Sequence, residues 1–410
     1  MNWKRILCAG VTAALLGGTL AGCAGQPAET EPTPESTPAA GDIVYQAVGI
    51  PRDTVLFTTG EAEVTADDYF YWLFTAIATV KNSGYLADDA AWEEEIDGTP
   101  TSEYLKQSAL ENSKLYAVAQ AKAEEEGLSL TQEDQEDMDA RLEALAETLE
   151  AYYGVTLQEY LDQQCISEEA YRQIAYAVPL LMGRLQEQYT QAGEFDPTDE
   201  AMADMIQRED IHSCKHILLA FPKNEDGSAV TDEQKAAVKA EADALLADLQ
   251  AAADPAAAFE EAMNEHSDDG RDPETNELYK PEGYTFLSNG VLVDGSSSLV
   301  TPFVQAGVAL GEGELSQPVE TDYGYHILLG QSADNEETRS LYPNYAMNRR
   351  IDQWMAEAQV ETTDTYETLD PKAFYDGMME LARQWREEAQ AAQESAAPAE
   401  SVQPSATPAA

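Results

Sequence analysis

Basic residues are scarce in this chain. Its 410 residues carry 23 Lys and Arg against 77 Asp and Glu, a formal net charge of −54. A surface of that sign repels nucleic acid and anionic lipid, which excludes both as partners of the surface. Histidine and cysteine are equally rare, four of each. No Cys and His spacing fits a zinc site, so no metal and no cofactor is expected. Four cysteines in a chain this long do not build a disulfide framework. Long apolar runs are missing except near the N-terminus, and Ile6 to Leu20 is too short for a comfortable membrane span. Nor is there a pair of α/β lobes of the kind that closes on a small solute.

What is present begins with an address. Lys4 and Arg5 precede the apolar run, which ends in Leu20-Ala21-Gly22-Cys23. This resembles a lipobox, so residues 1–22 are expected to be a lipoprotein signal peptide and Cys23 the acylated N-terminus. Two or more acyl chains give stable anchoring where one is marginal. Residues 24–42 contain four prolines and no large apolar side chain, and a tether is assigned to residues 23–50. With Cys8 and Cys23 removed from the count, a bridge between Cys165 and Cys214 is left open.

The body of the chain starts with a strand, a turn at Gly60 and a second strand over 54–64. Thr65 then caps a helix with Asp67 and Asp68 in its first turn, and Tyr69, Trp72, Leu73, Ala76, Ile77 and Val80 form its apolar stripe. Helices follow from Ser102 to Glu126, from Thr131 to Gly154, from Thr156 with Glu159 as a capping box, and from Ser167 to about Tyr189 with a kink at Pro179. The pattern changes at His212. A strand over 212–221, a helix capped by Thr231 with Gln234, a short helix over 255–265, a helical piece near 300–310 and a strand over 325–330 make an α+β pattern. Beyond 334 the chain is helical again. Ile351, Trp354 and Met355 mark one helix and Phe374, Met378, Leu381 and Trp385 another, which must return to bury their faces on the N-terminal helices. Residues 391–410, with eight Ala and three Pro, form a disordered tail.

Two of the four histidines open the two His-Ile-Leu-Leu segments of the chain, at His216 and at His326. Each segment reads as a strand, which suggests neighbouring strands holding two imidazoles side by side. His212 and His266 are read as surface or structural. Three further blocks lie between the pair. Phe259 to Asp269 ends a helix in Ser267-Asp268-Asp269. Gly283 to Gly290 is a strand entering a glycine turn. Leu299 to Val319, with Phe303 and Ser316, leads into Thr321-Asp-Tyr-Gly-Tyr-His326.

Taken in order, these blocks resemble a parvulin-type peptidyl-prolyl isomerase domain over about 211–332. With helices on both sides, the layout is similar to extracytoplasmic foldase lipoproteins of the PrsA type and to the periplasmic chaperone SurA. The resemblance implies a site in which Leu299 and Phe303 form the proline cup and Tyr284 a third wall. It implies that His216 and His326 sit behind the substrate carbonyl as a hydrogen-bonded pair and that Asp269 stands where relatives carry Asp or Cys. Thr321 would link this polar cluster, with Tyr323 and Ser316 as further members. Where relatives show Gly-Gly-Asp-Leu-Gly, this chain has Pro281-Glu-Gly-Tyr-Thr285, and residues 270–282 and 291–298 read as insertions. These departures bear on the register of Tyr284 and Leu299 and on catalytic efficiency. Loop 222–231 has a single lysine and lacks the basic cluster that a phosphate reader needs.

The fold class expected is therefore α+β: a helical N-terminal chaperone-like domain (51–208) completed by C-terminal helices (334–390), with an inserted parvulin-like domain (209–333) built on a small antiparallel sheet flanked by helices. The function expected is an isomerase and foldase on the outer face of a cell membrane, in a Gram-positive envelope, assisting exported proteins. The alternative is a holdase-type chaperone with a weakly active or inactive parvulin domain. Partners expected are unfolded or partly folded exported proteins with X-Pro bonds and the membrane through lipidated Cys23, with homodimerisation left open.

Overall fold

The computed structural model describes residues 42–86, 88–224 and 228–396. The expected leader, Cys23 with its expected acylation, the expected tether as far as residue 41 and tail residues 397–410 lie outside the described residues. The chain divides into two units. One runs to Gln188 and resumes at Asn348; the other spans Tyr189–Met347.

The first unit opens with α1 (Ile43–Val48), capped by Asp42. Ile43 and Val44 are fully buried, so the expected tether through residue 50 stops short of this helix. Apolar side chains of that size are withdrawn from water once a core is available. A hairpin follows, β1 (Val55–Thr59) and β2 (Ala62–Thr65), turning through Gly60 at φ 62°. Thr65 ends β2 and starts α2 (Ala66–Asn82). Asp68 Oδ2 accepts the Thr65 amide at 3.3 Å and its hydroxyl at 2.8 Å. Helix α2 buries Phe70 and Tyr71 beside the stripe read from the sequence. It is covered on more than one side, so its periodicity understates its burial.

A short hairpin, β3 (Glu95–Ile96) and β4 (Thr99–Pro100), leads into α3 (Thr101–Glu125). Capping boxes start α4 (Gln132–Tyr153) at Thr131 with Asp134 and α5 (Leu157–Gln163) at Thr156 with Glu159. Ser167 caps α6 (Glu168–Arg172), and α7 (Val178–Gln191) continues it after a π-helical stretch at Gln173–Ala177. That stretch lies directly before Pro179. Proline lacks an N–H and crowds the carbonyl four residues back, and a wider turn relieves both.

In the second unit, Thr198 caps α8 (Asp199–Glu209), whose Met202 and Met205 pack with Ile211. The sheet begins with β5 (Ile211–Ala220). Two helices follow, α9 (Asp232–Ala251) and α10 (Pro255–His266). Then come β6 (Tyr284–Leu287), α11 (Thr301–Val308), β7 (Val319–Glu320) and β8 (Gly324–Gln331). All pairings are antiparallel, in the order β6-β5-β8-β7. Period-2 alternation sorts the two central strands. Ile217, Leu219, Ile327 and Leu329 meet Leu246 and Phe259 on one face, while Cys214, Leu328 and Phe286 meet Phe303 of α11 on the other. Gly307 permits that approach, because a Cβ there would come within 2.7 Å of the Phe286 ring.

The chain ends with α12 (Glu336–Glu357), β9 (Val360–Thr362), α13 (Asp364–Glu367) and α14 (Pro371–Ala396). In the helical unit β9 pairs with β1, and α14 packs on α1, α2 and α3. Two buried lysines of α3 bind this returning segment through backbone carbonyls, Lys106 Nζ to Glu367 at 3.0 Å and Lys114 Nζ to Met355 at 2.7 Å. The expected disordered tail is corrected at its start, since residues 391–396 continue α14. Their alanines and Gln and Glu favour helix. Among the described residues no helix is long and apolar enough to cross a membrane. Both cysteines left open for a bridge, Cys165 and Cys214, are free and buried.

Candidate active site

Strand register positions the two histidines. His216 of β5 pairs with Leu328, and His326 of β8 pairs with Leu218. The imidazoles are therefore diagonal neighbours on one face of the sheet, the face under α11. Their ring centroids are 5.2 Å apart at an interplanar angle of 52°. The direct hydrogen bond expected between them is absent. Thr321 Oγ1 takes His326 Nε2 at 2.9 Å, and His326 Nδ1 is buried with no partner. The tilt leaves the pair in ring contact instead.

Aromatic side chains close around this pair. Phe303 stands edge-on to both, with centroids at 5.3 Å from His216 and 5.5 Å from His326. Tyr284 stacks flat on His216 at 5.5 Å and 18°. Gly283, at φ 87°, makes the turn that delivers Tyr284; a Cβ there would lie 2.4 Å from the Cys214 carbonyl oxygen. Phe303 is only 3 % exposed, so it is the floor of any cup. Leu299 is half-buried against the same cluster and is held by its amide, which donates to the Gly290 carbonyl at 2.9 Å.

Asp269 reaches the cluster from the end of α10, its Oδ2 3.5 Å from His216 Nε2. The residues before it are the anchors. Ser267 Oγ accepts the Leu218 amide at 3.1 Å, the Asp268 amide donates to the Leu218 carbonyl at 2.7 Å, and Asp268 Oδ2 accepts the Ala220 amide at 2.9 Å. Ser267 and Asp268 thus bond to β5 beyond Cys214, where its pairing with β6 ends. Arg271 donates to the α10 carbonyls of Met263 and Asn264 at 3.4 and 2.8 Å, and to Asn276 at 2.9 Å, clamping the first insertion. The apolar anchor of that insertion, Leu278, belongs to the α9 and α10 face, away from the histidines. These supports were not read from the sequence. A serine and an aspartate at a helix end signal a cap, not a bond to a strand.

Two expected members are reassigned. Tyr323 is 62 % exposed, and only its backbone takes part, donating to Thr321 Oγ1 at 3.1 Å. Ser316 lies on the other side of β8, where its Oγ accepts the Leu328 amide at 2.8 Å and its own amide donates to the Leu328 carbonyl. It fixes the strand and does not touch the histidines.

Burial sets the electrostatics. It lowers the His216 pKa, partly opposed by the Asp269 carboxylate. Burial and the neighbouring His216 hold His326 down at about 3. Both rings are neutral at neutral pH. Burial, and then Asp269, push the Tyr284 hydroxyl up to about 12, and burial pushes the Cys214 thiol up to about 12. No activated nucleophile results. The cluster is a dry, aromatic and mostly neutral pocket wall with a single carboxylate at its edge. Such a surface suits an apolar ring and an amide losing charge separation, not covalent catalysis.

Comparison with known proteins agrees with this geometry. The family of PPIC-type PPIase (rotamase) domains matches residues 216–331. The foldase protein PrsA of Clostridium tetani (strain Massachusetts / E88) is 32 % identical over 80 residues, 16 % of this chain and 24 % of that protein. The match thus spans about a quarter of that relative's length. Among solved structures, PrsA from Bacillus subtilis is 19 % identical, with 64 % of this chain and 88 % of that one covered at a TM-score of 0.22. The foldase protein PrsA of Streptococcus pneumoniae is 16 % identical, covering 83 % and 94 % at a TM-score of 0.21. At those scores the superpositions carry no argument; the domain match does. Residues 216–331, with the paired imidazoles on their sheet, match the family of PPIC-type peptidyl-prolyl isomerase domains.

Proposed function

We propose that this protein is a membrane-anchored, extracytoplasmic peptidyl-prolyl cis-trans isomerase that assists the folding of exported proteins. The supporting observation is the cluster of His216, His326, Phe303 and Tyr284, with Asp269 3.5 Å from His216, inside the matched domain. An X-Pro bond turns slowly because amide resonance opposes it, with a barrier of ~18–20 kcal/mol. At the twisted geometry resonance is lost and the carbonyl oxygen carries less charge. A site that removes water from this oxygen penalises the planar amide more than the twisted one.

Each residue then has a part. Phe303 and Leu299 hold the proline ring, and Tyr284 closes one side. His216 and His326, neutral and buried, line the carbonyl side without transferring protons. Thr321 fixes His326, and Asp269 fixes His216. Cys23 carries the acyl chains that keep the protein on the outer membrane face, and clients are exported chains with X-Pro bonds.

The test is cis-to-trans isomerisation of a short X-Pro peptide by the soluble form beginning at Ala24. Catalysis is expected, and a His216→Ala, Asp269→Ala double variant should lose it by roughly a hundredfold, the scale for removing positioned polar groups. Undiminished activity in a folded double variant would sink the site. Anchoring is tested separately: Cys23→Ser should release the protein from the membrane fraction and abolish palmitate labelling.

A second reading is a holdase whose isomerase is weak. Its supporting observation is the flat stack of Tyr284 on His216, which covers one imidazole face. Aggregation suppression without peptide isomerisation, on one preparation, would favour it.

A further inference from the structure

The helical unit holds a cavity of about 270 Å³ that the isomerase site does not use. Ala62, Glu63 and Val64 of β2 line it, together with Trp72 of α2. Side chains alternate between faces along a strand. Three consecutive lining residues therefore mean that the cavity follows the edge of β2, which is an outer strand of its sheet. Thr59 and Ala62 close the two-residue turn of the hairpin, and Val64 pairs with Phe57. Backbone groups in an antiparallel ladder alternate between facing the partner and facing away. Ala62 and Val64 face β1, so the N–H and C=O of Glu63 face outward.

Two further features point to a ligand. Trp72 is 8 % exposed and its indole N–H has no acceptor. A buried donor left unpaired costs ~1–3 kcal/mol, which an incoming carbonyl would recover. The polar lining is also of one sign. Glu63, Asp68 and Glu124 contribute to it with Gln120 and Gln173, and no lining residue among those described is basic. Burial raises the Asp68 pKa, the response of a carboxyl with no cation at hand. The volume falls below the usual range for drug-sized ligands and matches one long side chain.

We propose that this cavity binds an extended peptide segment carrying a lysine or arginine side chain. Its main chain pairs with the outward backbone of Glu63, one of its carbonyls accepts from Trp72 Nε1–H, and its cationic head lies among Glu63, Asp68 and Glu124. This site is separate from the isomerase cluster, and its test does not depend on that activity.

The experiment follows the tryptophan indole N–H signals of the ¹⁵N-labelled soluble chain beginning at Ala24, with Trp72→Phe identifying the Trp72 signal. The probe is a blocked hexapeptide alternating Val and Lys. The expected result is a saturable downfield shift of the Trp72 signal. An alternating Val and Glu peptide should leave it in place, and blocked single lysine should bind at least roughly tenfold more weakly, since it lacks a strand to pair. Glu63→Lys with Glu124→Lys, both at exposed positions, should weaken the Lys peptide by roughly tenfold or more. These surface changes report on the site even if Trp72→Phe does not fold. No shift at millimolar peptide, an equal response to the Glu peptide, or equal binding of single lysine would each overturn the proposal.

Discussion

The two units of this protein divide its rarest residues between them. All four histidines, His212, His216, His266 and His326, lie in the sheet unit, which has no tryptophan. Four of the five tryptophans, Trp72, Trp92, Trp354 and Trp385, lie in the helical unit, whose described residues hold no histidine, and Trp3 lies outside the described residues. The buried polar groups differ in the same way. In the sheet unit they include two imidazoles that burial keeps neutral. In the helical unit they include Lys106 and Lys114, satisfied by backbone carbonyls. One unit buries groups that become unstable when charged; the other buries charged groups already paired with acceptors. Tryptophan fluorescence therefore reads one unit and histidine ring signals the other.

The sharpest separation should come from Phe303→Ala. Phe303 touches both imidazoles and Phe286 in a closed cluster. Its truncation should cost about 3–5 kcal/mol and lower the transition read from histidine signals. The tryptophan transition should not move, and a shared shift would erase the comparison.

Acid should separate them next. His326 has a folded pKa of about 3, below the ordinary value of 6.5. The unfolded chain then binds the proton more readily, so stability is present above pH 6.5 and is lost as pH falls toward 3. The loss is on the order of 5 kcal/mol at full extent. The helical unit has no histidine to charge. Its Asp134 is held well below the usual carboxylate range by hydrogen bonds from Arg184, and that contribution is lost only below the ordinary aspartate pKa. Denaturant titrations at pH 7, 5 and 4 should show the histidine-read midpoint falling first. Coincident midpoints would contradict this.

A smaller effect should run the other way. Lys106→Met removes a charged donor bonded to the Glu367 carbonyl and leaves that oxygen unpaired. The cost should be about 2 kcal/mol, seen in tryptophan fluorescence alone. The smallest is Thr131→Ala, which deletes the cap of α4. About 1 kcal/mol is expected, again confined to the helical unit.

Legibility in the sequence followed the range of the interaction. Caps were plain because donor and acceptor are three residues apart: Thr156 with Glu159 and Thr231 with Gln234 form as read, and the helix start read at Thr131 is capped as well, with Asp134. Strands β5 and β8 were plain because each has enough apolar residues to show its period. Strand β9 was not read at all. It has three residues, one of them apolar, and exists because β1 offers an edge across 300 residues of chain. In the candidate site, the side-by-side imidazoles followed from two similar strand openings. The bond from His326 to Thr321 in place of His216, and the outward turn of Tyr323, depend on rotamers and ring tilt that no spacing encodes.

By itself the sequence determined the α+β class, the main helices with their starts, and the strands that carry His216 and His326. These are set by backbone propensity, capping and hydrophobic period, all local. The tertiary structure decided which strand Ser267 and Asp268 bond to, which face of the sheet the imidazoles share with Phe303, and that both imidazoles are neutral. It also decided that the indole N–H of Trp72 is left without an acceptor beside the edge of β2. Register, burial and desolvation are properties of surfaces brought together from distant parts of the chain, and they come into being only when the chain has folded.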